Sequence, residues 1–301
     1  MSVYDKDGNA LLSVFDKSGK GLKKAYNAAG SELFSQPYAP TMQLLCVIPF
    51  SEIASVSIGP QGLAVYGGYI FQFFTGDNKM RIFSAETFEI VGEYECTDAI
   101  HGNTMQFGTE EQDTGFPLLY VSTWGENVNT DSKEIAILKV SLTGYTKVGS
   151  ITLPSSAGYH PSLAFDWENG VAYSVGFANA LATTTVQPNV ITKYDASALS
   201  ALEILEQYQV PYMGVLNGWA YHAGKLIYCG NTWNDTIAVF TFIDAETHAR
   251  RPVVLQKTAN EEFEGYDISG NNLIVSNWVT VTGGTQYYRI YSMKLNDENN
   301  S

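Results

Sequence analysis

Asn103-Thr104-Met105-Gln106-Phe107 runs polar, small, apolar, variable, apolar, and four other stretches repeat that pattern with a polar residue or proline in front. They are Gln61-Gly62-Leu63-Ala64-Val65, Pro161-Ser162-Leu163-Ala164-Phe165, Asn217-Gly218-Trp219-Ala220-Tyr221 and Glu264-Gly265-Tyr266-Asp267-Ile268. Apolar side chains at every second position mark a strand with a buried face. Each copy leads through a turn into a second apolar strand that closes on an aromatic: Tyr69 to Phe74, Leu118 to Trp124, Val171 to Phe177, Leu226 to Trp233 and Leu273 to Trp278. A third strand follows, as in Met80 to Ser84 and Tyr288 to Ser292, and in most units a fourth, as in Phe88 to Tyr94.

Units of four short antiparallel strands recurring at this spacing predict an all-β, five-bladed β-propeller. A six-bladed ring and a β-sandwich are the competing arrangements. Asp195 to Gln209 is rich in Ala, Leu and Glu, which favours helix. Its place in the repeat makes it a turn and a fourth strand, and repeat register overrides local propensity. The last unit has a third strand ending near Met293 and then a polar tail. The apolar run Met42 to Phe50 is left over ahead of the first unit and can supply the missing strand, closing the ring and covering its open edge.

The propeller is assigned to residues 37–301. Residues 1–36 form a separate attachment segment in which aromatic, Asp or Asn, x, x, Gly, x, x, Leu occurs as Tyr4-Asp5-Gly8-Leu11, Phe15-Asp16-Gly19-Leu22 and Tyr26-Asn27-Gly30-Leu33. Asx followed by Gly is turn chemistry, because the Asx side chain bonds the backbone and Gly accepts positive φ. The segment therefore reads as hairpin-like, with the aromatic and the Leu on short strands. It has too little apolar surface for its own core.

Lys and Arg number 17 against 31 Asp and Glu, a net charge of −14. That balance opposes nucleic acid and anionic membrane surfaces as partners. No apolar run reaches the roughly 18 residues of a membrane span, and the first residues lack the basic-then-apolar order of a signal peptide. The expected setting is the cytoplasm of the producing cell, without membrane insertion. Charged residues are only 16% of the chain, so much of the surface is uncharged polar. Cys46, Cys96 and Cys229 have no metal-like spacing and read as small buried residues.

In a propeller the start of each inner strand and the end of the second strand lie on one face. An inner ring would then carry Gln61, His101, Asn103, His160, Asn217 and Glu264 with Glu262, and an outer ring Phe74, Trp124, Phe177, Trp233 and Trp278. The loops Gly125 to Lys133, Ala178 to Asn189 and Val279 to Gln286 leave the same face and are rich in Asn, Thr, Ser and Gly. Aromatic faces beside neutral amides and hydroxyls suit sugars. Each aromatic could equally cap the packing between blades. Glycoside hydrolysis needs two carboxyls about 5 to 9.5 Å apart, and the only pair expected on this face is Asp98 with Glu264. No cofactor is implied, although His101, His160 and Glu264 could surround a divalent ion in the channel.

The wording Tyr4-Asp5-Lys6-Asp7-Gly8-Asn9-Ala10-Leu11 and its two echoes resemble the repeats that open tail- or baseplate-associated proteins of phages and prophages of gut bacteria. The resemblance covers about residues 3 to 34. It implies attachment to other particle proteins through that segment, often as an oligomer of identical chains, with assembly inside the producing cell. The propeller is similar to uncharacterised propellers of gut bacteria, which carries over a fold and no activity. Together these lead to a tail-associated, non-enzymatic receptor-binding protein whose head takes a bacterial surface glycan. A glycoside hydrolase or lyase, and a protein-interaction propeller, are the alternatives.

Overall fold

The computed structural model describes residues 24–26, 32–35, 42–53, 59–99, 101–123, 132–179, 187–199, 202–230, 236–257, 260–281 and 284–295. The chain divides after Thr41 into two units. In the first, β1 (Lys24–Tyr26) pairs antiparallel with β2 (Glu32–Ser35), Ala25 opposite Phe34. The third eleven-residue copy begins on one of these paired strands and ends on the other, and its turn residues lie outside the described residues. The first two copies lie outside the described residues.

The second unit opens with β3 (Met42–Pro49) and a single helical turn, α1 (Phe50–Ile53). Blade one is β4 (Gly59–Tyr66), β5 (Tyr69–Thr75), β6 (Lys79–Ser84) and β7 (Ile90–Glu95). Blade two is β8 (Gly102–Glu111), β9 (Pro117–Thr123), β10 (Glu134–Val140) and β11 (Tyr145–Thr152). Blade three is β12 (Tyr159–Asp166), β13 (Val171–Phe177), β14 (Asn189–Asp195) and β15 (Glu203–Val210). Blade four is β16 (Leu216–His222), β17 (Lys225–Gly230), β18 (Ile237–Asp244) and β19 (Arg250–Gln256). Blade five is β20 (Glu261–Ser269), β21 (Asn272–Thr280) and β22 (Gln286–Lys294), completed by β3. These five four-stranded antiparallel sheets make a five-bladed β-propeller.

The ring closes as its leftover strand foretells: β3 pairs antiparallel with β22, Cys46 opposite Ile290 and Val47 opposite Arg289. The segment with helical composition forms β15, pairing along β14 from Val210 to Glu203. Its propensity yields to the edge position that the repeat assigns.

Each pentapeptide lies on the inner strand of its blade, and β4, β8, β12, β16 and β20 contact one another around the axis. The small second position has a steric cause. A Cβ on Gly218 would sit 1.6 Å from the Tyr266 ring of the next inner strand, and one on Gly265 would sit 2.5 Å from the Gln61 carbonyl. The fourth position stitches blades where it is polar. Gln106 Oε1 accepts the Phe165 amide at 2.8 Å, and Asp267 Oδ2 accepts the Val65 amide at 2.7 Å. In the other three copies this position is Ala64, Ala164 or Ala220, which has no such bond to offer.

Among the described residues, apolar side chains between blades form five clusters, one at each junction. Between blades one and two, Phe71 packs edge-on against Phe107 and Phe116, each at 5.1 Å. Between blades five and one, Tyr288 stacks on Phe83 at 5.5 Å. Full burial of one such ring stabilises by about 2 to 3 kcal/mol. Rings facing between sheets, rather than charges, therefore hold the blades together. Among the described residues no helix is long and apolar enough to cross a membrane.

Candidate functional site

Every inner strand breaks register with its neighbour at the same end. The irregularities fall between Pro60 and Leu63, Gly102 and Thr104, Tyr159 and Ser162, Leu216 and Gly218, and Phe263 and Tyr266. A bulge leaves a residue out of the ladder and re-aims its side chain. The skipped positions are Gln61, Asn103, His160, Asn217 and Glu264, with Gly62, Pro161 and Gly265 beside them. The fivefold repeat thus delivers five polar side chains to one mouth of the central channel, all of them buried.

These side chains interact across the mouth. Asn103 Nδ2 donates at 3.5 Å to the carbonyl of Leu216, linking blade two to blade four. Asn217 Nδ2 donates to Glu262 Oε1 and to Glu264 Oε2, both at 3.2 Å. Gln61 Nε2 turns back to the Pro60 carbonyl at 2.9 Å. The amide nitrogens of Asn103 and Asn217 are therefore committed to protein acceptors. Their oxygens are not, for Asn103 Oδ1 and Asn217 Oδ1 are buried and accept no hydrogen bond among the described residues. A buried acceptor left unmade costs roughly 1 to 3 kcal/mol. The mouth is thus arranged to receive donors.

Glu262 and Glu264 stand two residues apart on β20 and hydrogen-bond to each other. Burial, then the charge of Glu262, holds the Glu264 carboxyl well above the usual range, and burial raises Glu262 as well. Both carboxyls therefore hold their protons to higher pH than free carboxyls do. Lys257 lies close enough to favour the ionised form of Glu262. Sequence reasoning placed Glu262 on this face but gave it no role, and it missed Lys257. Only contact across the bulge reveals the pairing.

The outer aromatic ring is corrected. Phe74 and Phe177 are fully buried, packed between blades, and present no face to a ligand. Their side of the strand is set by pairing: Phe74 meets Tyr288 at 5.5 Å and lies under the Arg81 guanidinium. Trp124 and Trp233 lie outside the described residues. Trp278 is half-buried, edge-on to Phe50 at 6.2 Å and opposite Glu262 in the ladder, where its side chain favours the charged carboxylate.

The hydrolytic pair of Asp98 with Glu264 is also corrected. Asp98 accepts the Tyr145 hydroxyl at 2.9 Å and faces Lys147 at 3.7 Å, both on β11. β11 is the outermost strand of blade two, so Asp98 is tied to the rim while Glu264 faces the channel. His101 and His160 both take left-handed backbone, at φ 50° and 49°. Burial, then His160, lowers the His101 pKa, which fits a neutral lining. Glu264 does not join them: among the described residues no three His, Cys, Asp or Glu side chains group to hold a metal.

The sequence matches no known protein family and no curated protein. Among solved structures it is similar to a β-xylosidase at 11% identity, TM-score 0.51, over 84% of this chain and 96% of that one. Myxococcus xanthus glutaminyl cyclase is 12% identical with TM-score 0.49, over 85% of this chain and 97% of that one. The likeness is one of fold.

Proposed function

We propose that the chain is a receptor-binding protein of the phage- or prophage-tail type, whose channel mouth recognises a neutral, hydroxyl-rich bacterial surface glycan. The carrying observation is the pair of buried amide oxygens, Asn103 Oδ1 and Asn217 Oδ1, which have no donor of their own. Sugar hydroxyls donate to such acceptors, and the half-buried indole of Trp278, opposite Glu262 in the ladder, offers an apolar edge. The raised carboxyls of Glu262 and Glu264, with Lys257 close to Glu262, favour an uncharged ligand over a cationic one. The eleven-residue repeat supports attachment to other particle proteins through residues 1–36.

Binding rather than hydrolysis is favoured by the carboxyl arrangement. Glu262 and Glu264 contact each other, closer than a catalytic pair that must flank a glycosidic bond. The test is titration of the full chain against bacterial surface glycans, with Asn217→Ala and Trp278→Ala beside it. Saturable binding that both substitutions weaken supports the reading. A protein partner covering Trp278, with no glycan bound, would favour a protein-interaction propeller instead.

A further inference from the structure

On the face opposite the mouth, where the inner strands of blades three and four end, lies a cavity of about 340 Å³. Pockets that hold small molecules begin at about this size. One wall is a pair of nearly parallel rings, Tyr173 and Tyr221, with centroids 5.6 Å apart. Behind them the fixed polar groups are already paired. Asp166 accepts Asn169 Nδ2 at 2.9 Å and the Tyr221 hydroxyl, while Lys225 and Asp244 form an ion pair at 2.5 Å.

Two charged groups on the lining are left over. Lys193 is half-buried, with its ammonium over the Tyr173 ring at 5.9 Å, and it makes no ion pair among the described residues. Glu246 is exposed at the rim and likewise lacks a cation partner there. Of the two lysines on the lining, Lys225 is taken by Asp244, whereas Lys193 has no carboxylate within ion-pair distance among the described residues, although Glu206 lies opposite it in the ladder, and so it is the cation that can still meet an anion. The ring beneath it fixes its position without neutralising it. Glu246 accepts hydrogen bonds and offers none.

We infer that this cavity binds a carboxylate-bearing saccharide residue of the uronic-acid class, its carboxylate on Lys193 and its hydroxyls toward Glu246. A charge-assisted contact to Lys193 supplies the selectivity, and the half-buried Tyr221 ring, backed by the buried Tyr173, supplies the apolar surface for the C–H face of a sugar. The site is independent of the mouth and would give the head two saccharide sites on opposite faces.

Calorimetric titration of the full chain with glucuronate, glucose and glutamate tests this. Glucuronate is expected to bind saturably and glucose at least about tenfold more weakly, the effect of one charge-assisted hydrogen bond. Lys193→Gln should abolish the preference for glucuronate without lowering Tm, Lys193→Arg should retain it, and Asn217→Ala at the mouth should leave it unchanged. Absence of glucuronate binding, or binding equal in Lys193→Gln, overturns the assignment. Glutamate binding as tightly as glucuronate overturns the saccharide class, and loss in Asn217→Ala moves the ligand to the mouth.

Discussion

Asp267 Oδ2 accepts the Val65 amide at 2.7 Å, joining blade five to blade one beside the point where the ring closes. Burial raises this carboxyl from its ordinary 3.8 to about 7. Between those values the unfolded chain releases a proton that the folded chain keeps. The stability contribution is therefore full below about pH 4, falls as pH rises toward 7, and is flat above it. The full swing is on the order of a few kcal/mol, at about 1.4 kcal/mol per pH unit. Glu262 and Glu264, also raised, act in the same direction. Denaturant midpoints from pH 4 to pH 8 should decline in the wild type. In Asp267→Asn, whose amide oxygen can still accept from Val65, the decline should be shallower.

Ring closure gives a second expectation. Because β3 supplies the fourth strand of blade five, a chain starting at Met42 should unfold within a few degrees of the full chain. One starting at Ser51 should lose its cooperative transition, since β22 would be left as an open edge. Calorimetry distinguishes the two.

The small second position of the pentapeptide should be intolerant at Gly218. A single methyl there would overlap the Tyr266 ring, whose Cδ2 would be 1.6 Å away. Overpacking of this kind costs about 1 to 3 kcal/mol or more. Gly218→Ala should lower Tm by several degrees, whereas Gly144→Ala, with open space around its would-be Cβ, should not.

The cysteines should be inert in the fold. Burial pushes Cys46 up to about 11 and Cys96 up to about 12, and raises the fully buried Cys229 further. Alkylation at pH 8 should be slower than in denaturant by roughly a hundredfold or more, because the thiolate is the reacting species. Mass spectrometry of labelled peptides reports each site separately.

The blade count, the donated strand and the polar mouth were legible because each is written locally. The pentapeptide alternates with period two, Met42 to Phe50 had no other place, and Gln61, Asn103, Asn217 and Glu264 recur at one position of the repeat. The side to which a second-strand aromatic points was not legible. Phe74 and Phe177 end strands as Trp278 does, yet pairing and the neighbouring blade bury the first two fully. Asp98 precedes β8 in sequence, but a contact with Tyr145, 47 residues later, draws it to the rim. The groove between blades three and four joins turns from separate repeats, so no local pattern announces it.

The central claim is that the mouth binds a neutral glycan through acceptors carried on the inner-strand bulges. Its most direct measurement is a titration of one bound bacterial surface glycan into the wild type and Asn103→Ala, with Tm recorded for both. The account predicts saturable binding that falls by roughly tenfold or more on loss of one buried hydrogen bond, with Tm held within a few degrees. Binding unchanged in Asn103→Ala, with the protein equally folded, would contradict it.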